Sequence, residues 1–118
     1  MKKIQLTCAH AIVKYLISQK ILVDGKKLPL FAGAFGFFGH GNVACLGQAL
    51  EENQKDLPTW RGHHEQNMAL TGIAYTRAKR RKQIFVATSS VGPGSTNLLT
   101  AAAAVSYTHL TLPTIYSV

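Results

Sequence analysis

The sequence predicts an α/β fold with an open, mainly parallel sheet and helices on both faces. Three observations carry that expectation. Short apolar runs of strand character alternate with stretches whose apolar residues recur at three-and-four spacing. Glycine-rich turns stand where a strand-like run gives way to a helix, as in parallel sheets built from crossover units. The chain has 118 residues, 47% hydrophobic and 15% charged, which suits one small domain with a core rather than a disordered chain.

The first helix is expected from Leu6 to about Gln19, where Leu6, Ala9, Val13, Leu16 and Ile17 share one face. Asp24-Gly25-Lys26-Lys27 then reads as a polar turn. After Pro29 the run LFAGAFGFF, ending at Phe38, is short and aromatic enough to be a strand, and Gly39-His40-Gly41-Asn42 breaks it. Val43, Leu46, Ala49 and Leu50 mark a helix over 43–52 with Asn42 as its cap. The pattern repeats with an extended piece at 58–61, a long helix from His64 to Arg81, and a strand from Ile84 to Thr88. A turn at Val91-Gly92-Pro93-Gly94 and a helix from Ser95 or Thr96 through the alanine run complete it.

Lys and Arg number 13 against five acids, a formal charge of +8, which by itself would suit an anionic partner. The distribution weakens that reading. Arg77, Lys79, Arg80, Arg81 and Lys82 end a helix, where cations meet the negative pole of the helix dipole, and no aromatic residue lies among them for base stacking. A solvated helix terminus is expected, not a nucleic-acid surface. Residues 83–118 carry no charged side chain, so this end expects a covering, yet Ser, Thr, Asn, Gly and Pro interrupt it and no membrane span is expected. His10 and Lys14 interrupt the apolar stretch behind Lys2 and Lys3, which argues against a signal peptide and for a cytoplasmic protein. Cys8 and Cys45 lack the spacing of a metal or redox pair, and two reduced, buried thiols are expected, with no metal ligands.

Three turns compete as sites. Gly39-His40-Gly41-Asn42-Val43-Ala44 fits the G-x-G-x-x-A dinucleotide fingerprint, but no acid for a ribose follows at the usual distance; Arg61 stands there instead. A small NADP-binding module and a plain tight turn both remain open on these residues. Glu65 opens the long helix. It could simply meet the positive end of the dipole. However, three-and-four steps from it reach Met68, Ala69, Gly72, Ile73 and Thr76, so the acid belongs to the small, apolar face that packs inward. Burial raises a carboxyl pKa unless donors oppose it, and such a group suits acid–base work. The third turn, Val91 to Asn97, joins strand to helix with two glycines around a proline and could hold an anion or simply pack.

Taken in order, VDGKKLPLFAGAFGFFGHGNVACLGQALEE, His64-Glu65-Gln66 followed by Ala74-Tyr75-Thr76-Arg77, and the S-x-G-P-G-x-x-N loop resemble the N-terminal pyrimidine-binding domain of thiamine diphosphate enzymes over residues 1 to about 104. The acetolactate synthase group shares several of these strings. The V-D-G segment before F-G-H-G-N-V and G-Q-A-L-E is most similar to the ring-opening hydrolases of inositol catabolism.

The resemblance implies a thiamine diphosphate-binding fold and assigns Glu65 to the aminopyrimidine ring nitrogen of the cofactor. There the family's glutamate favours the imino tautomer that takes the thiazolium proton. It also implies that Gly92, Pro93, Gly94 and Asn97 lie near the cofactor or a partner subunit, and His40, Gly41 and Asn42 near the reacting centre. The implied substrate is a cyclic 1,2-diketone, trihydroxycyclohexane-1,2-dione, opened to a deoxyglucuronic acid by a homo-oligomer. Magnesium and the diphosphate would be held by a second domain carrying Gly-Asp-Gly. No Gly-Asp-Gly occurs here, Val23-Asp24-Gly25 being the nearest string. The expectation is therefore an incomplete domain, inactive alone, over residues 1–104. The string SYTHLTLPTIYSV departs abruptly from the family pattern, so 105–118 is expected to be a non-native, adaptor-like tail.

Overall fold

The computed structural model describes residues 4–107. Helix α1 (Cys8–Ser18) begins at Thr7, whose hydroxyl accepts from the His10 amide at 3.2 Å. Its Val13 and Leu16 are buried, as the periodicity requires, but Leu6 lies outside the helix and is exposed. Strands β1 (Lys20–Val23) and β2 (Lys26–Pro29) then pair antiparallel. This corrects the reading of 24–27 as a simple turn. Asp24 (φ 50°) and Gly25 (φ 77°) both take positive φ, the two-residue geometry whose twist matches that of the flanking strands.

Strand β3 (Phe31–Gly36) is central in a parallel sheet of order β4-β3-β5, with β4 at Thr59–Arg61 and β5 at Ile84–Thr88. The crossover from β3 to β4 is helical, in three parts: α2 (His40–Asn42), a π-helical turn (Val43–Gly47) and α3 (Gln48–Glu52). Asn42 is therefore inside the helix and makes no side-chain cap. Gly39, in extended conformation, holds the cap position, and His40 and Gly41 are helical rather than part of a turn.

Helices do cover both faces. Ala34 of β3 faces a core formed with Val13, Leu16, Ala49, Leu50 and Leu57. Phe35 and Phe85 point the other way and stack at 4.8 Å. Tyr75 of α4 (Glu65–Ala78) meets Phe85 edge-on at 4.8 Å, and Trp60 of β4 closes the cluster at 5.7 Å. Gly33 must lack a side chain here, because a Cβ would meet Trp60 and the Pro58 carbonyl.

Helix α4 stops at Ala78, three residues before the expected Arg81. The Arg81 amide reaches back to the Thr76 carbonyl (2.8 Å) and the Arg80 amide to that of Arg77 (2.9 Å), a paired C-cap in which glycine is usual. Arginines occupy it, at φ 52° and 62°. All five cations of the run are exposed, as expected of a helix terminus. Replacing Arg80 with Gly removes the Cβ penalty of the left-handed conformation and is expected to stabilise the chain by up to about 1 kcal/mol, read as a higher midpoint in urea unfolding.

Helix α5 (Pro93–Tyr107) starts ahead of the expected Ser95 or Thr96. Proline at the first helical position costs no hydrogen bond and has a preset φ. The helix runs past Ala104, and Val105 is only 2% exposed. The remainder of the expected tail, 108–118, lies outside the described residues. Both thiols are exposed rather than buried, since the three-part helix turns Cys45 outward and α1 begins at Cys8.

Candidate active site

In an open parallel sheet the crevice lies beyond the carboxyl ends of the strands, where the chain switches direction around the central strand. Here that edge gathers the turn after β3, the approach to α4 after β4, and the turn after β5. Glu65 stands at its middle. It is the first residue of α4 and only 4% exposed, the one buried charged group among the described residues.

Two side chains from the following unit hold it. The Ser90 hydroxyl donates to Oε1 at 3.0 Å, and the Asn97 amide donates to Oε2 at 3.2 Å. Burial pushes the Glu65 carboxyl upward. Its own backbone amide, Asn97 and Ser90 act against that, with a smaller contribution from the His64 charge, and the carboxyl ends below the ordinary carboxylate range. The group is therefore a desolvated but ionised acceptor at neutral pH. The expected inward face of α4 is confirmed, with Met68 buried and Ala69, Gly72, Ile73 and Thr76 partly so. The rise expected of an undefended carboxyl is not realised, because donors meet both oxygens.

Glycines allow this approach. A Cβ on Gly94 would meet Ser90 Oγ and Glu65 Oε1 and lie 3.0 Å from Glu65 Cδ. A Cβ on Gly39 would come within 3.2 Å of Ser90 Cβ, so the turn after β3 rests on the turn after β5. The Ser95 hydroxyl donates to the Ser90 carbonyl at 3.0 Å and fixes that turn from the other side.

Of the residues singled out in the sequence, Glu65, Gly94 and Asn97 come together. Gly92 (φ 72°) and Pro93 are exposed on the rim, where the Gly92 carbonyl accepts the Thr96 amide at 3.1 Å. His40, Gly41 and Asn42 form the first turn of the neighbouring helix, and no hydrogen bond links them to Glu65. Ser90 was not singled out, although it opens the S-x-G-P-G-x-x-N string; a polar side chain just beyond a strand's carboxyl end was the available signal. The third small residue of the dinucleotide fingerprint should pack its helix on the strand, but Ala44 is exposed. Among the described residues no three His, Cys, Asp or Glu side chains could hold a metal ion, and no helix is long and apolar enough to cross a membrane.

Residues 31–116 match the thiamine pyrophosphate enzyme N-terminal TPP binding domain. Curated relatives carry the name 3D-(3,5/4)-trihydroxycyclohexane-1,2-dione hydrolase. One from Listeria innocua is 52% identical over 101 residues, 86% of this chain, and one from Geobacillus thermodenitrificans is 52% identical over 103 residues, 87% of it. A third, from Bacillus thuringiensis, is 48% identical over 106 residues, 90% of this chain. The chain spans 16% of the length of each of these relatives. No solved structure matches it. With the parallel sheet and the buried glutamate beyond its carboxyl edge in place, the chain belongs to the thiamine pyrophosphate enzyme family, within the N-terminal TPP binding domain.

Proposed function

We propose that this chain is part of the pyrimidine-binding domain, residues 1 to about 104, of a cytoplasmic thiamine diphosphate-dependent hydrolase that opens a cyclic 1,2-diketone in inositol catabolism. The observation that carries the reading is the buried, ionised Glu65 held from both sides by Ser90 and Asn97. A cofactor pyrimidine fits that chemistry. Each carboxylate oxygen accepts one internal donor and keeps lone-pair capacity for a ring N–H, and a charged acceptor makes such a bond about twice as strong as a neutral one.

In this reading Glu65 accepts from the pyrimidine ring, while Ser90 and Asn97 fix the carboxylate's orientation and keep it ionised. Gly94 keeps side chains out of the space between α5 and the carboxylate. Gly92 and Pro93 line the rim toward the cofactor or a second subunit, and His40, Gly41 and Asn42 stand on the substrate side. When bound, thiamine diphosphate supplies the carbanion chemistry that breaks the ring carbon–carbon bond. Magnesium and the diphosphate belong to residues beyond this chain. The whole enzyme is a homo-oligomer with no nucleic-acid or membrane partner.

Two measurements test this. Calorimetric titration of the chain with thiamine diphosphate and magnesium is expected to show no tight binding; tight, magnesium-dependent binding would mean that the missing domains are unnecessary. Exchanging the matched segment of the Listeria innocua hydrolase for this one is expected to preserve ring opening of trihydroxycyclohexane-1,2-dione. A folded, cofactor-loaded chimera that leaves the diketone intact overturns the substrate assignment.

A further inference from the structure

On the core face opposite the aromatic cluster, α1 packs against the π-helical turn. A cavity of about 270 Å³ lies between them. The only two cysteines of the sequence line it: Cys8 at the first position of α1, and Cys45 at the middle of the π turn. Both are free and exposed. His10 and Gln48 share the wall, and each is tied to the same carboxylate: His10 Nε2 lies 2.8 Å from Glu52 Oε2, and Gln48 donates to Glu52 Oε1 at 2.9 Å. These bonds link α1 to α3 beside the thiols and hold the two segments in register. The π turn is a local widening of the helix, a feature frequent at functional positions. The thiols belong to no metal-binding cluster among the described residues.

We propose that Cys8 and Cys45 form a dithiol modification site that peroxide oxidises to an intramolecular disulfide, stapling α1 to the helix that carries His40–Asn42. The step balances as two thiols and one hydrogen peroxide giving one disulfide and two waters. One thiolate attacks a peroxide oxygen, the O–O bond breaks, and a sulfenic acid forms with release of the first water. The second thiolate then attacks that sulfur, the S–S bond forms, and the second water leaves. A disulfide needs the two Cα atoms within about 7 Å, which is what the reaction reads out.

The chain treated with hydrogen peroxide is expected to stay monomeric on a non-reducing gel and lose both titratable thiols. Its mass should fall by two hydrogens, and digestion should release the Cys8 and Cys45 peptides joined. Dithiothreitol is expected to reverse all of these, and the oxidised form should melt at a higher temperature than the reduced one. Cys8→Ser and Cys45→Ser should each leave a single thiol that yields only a sulfenic acid or an intermolecular dimer. Separate sulfinic or sulfonic acids on unlinked peptides of the wild-type chain, or dimers alone, overturn the proposal.

Discussion

Glu65→Gln, introduced into the chimeric hydrolase carrying this segment, is expected to lower kcat by roughly 10²- to 10⁴-fold, the range lost with a positioned acid–base group. The substitution keeps the side chain's shape and changes its charge and its bonding. A glutamine keeps one acceptor for the Asn97 amide and turns its NH₂ toward the Ser90 hydroxyl, which must then accept rather than donate, so both bonds lose their charge assistance. That loss costs about 1–3 kcal/mol in a buried setting. Stability against pH separates this from a purely structural defect. The folded-state pKa of Glu65 is lowered, so its contribution is fully present above the ordinary carboxylate value and is lost as pH falls through the folded value. The wild-type chain should therefore lose melting temperature on the acid side more steeply than Glu65→Gln. Parallel acid limbs and an unchanged kcat would remove Glu65 from the mechanism.

Gly94→Ala carries the second large effect, and its sign is diagnostic. Within a helix, alanine normally gains about 0.5–1 kcal/mol over glycine. Gly94 lies in the first turn of α5 and has no positive φ, so backbone preference alone predicts stabilisation. The added Cβ, however, would enter the space held by Ser90 Oγ and Glu65 Oε1. Overpacking of that kind costs about 1–3 kcal/mol and outweighs the helix preference. The expected result is a lower unfolding midpoint for the chain and loss of cofactor binding in the chimera. Gly41→Ala is the control: it is also helical, but its Cβ meets nothing within 4 Å, so it should be neutral or slightly stabilising. A Gly94→Ala variant that behaves like Gly41→Ala would overturn the close contact between Gly94 and the carboxylate.

The legible part of the site was what a single element records. Three-and-four spacing put Glu65 on the inward face of α4 because helical periodicity acts within one helix. Its partners lie 25 and 32 residues away, and nothing local in Ser90 or Asn97 states which carboxylate they will meet. The opposition of burial by donors, which decides the protonation state, was for the same reason open until the elements were assembled. Strands β3 and β5 were legible from composition, whereas the β1–β2 hairpin was missed although Asp24-Gly25 is a strong two-residue turn signal. Lysines on both sides of that turn hid the strands, since the hairpin is largely exposed and shows no clean apolar alternation. The helix over 40–52 was placed too late because Asn42 looks like a cap, while Gly39 was free to take the cap position. Residue type alone predicts buried thiols at Cys8 and Cys45, whereas their positions at the start of α1 and in the π turn leave both exposed.

The central place of β3 also sets an order for events during synthesis. Phe31–Gly36 leaves the ribosome before either strand that will flank it, and its ladder to β5 joins Phe31 to Ile84 and Gly36 to Thr88. Until Thr88 emerges, the middle strand has at most the short β4 on one side, and Phe35 lacks the Phe85 ring that will cover it. The β1–β2 hairpin needs no such wait, because hairpins close locally in about 1–10 μs. A nascent chain of this protein is thus folded first at its lysine-rich periphery and last at its middle. Throughout that interval an apolar strand with at least one unpaired edge is the surface a holding chaperone would meet.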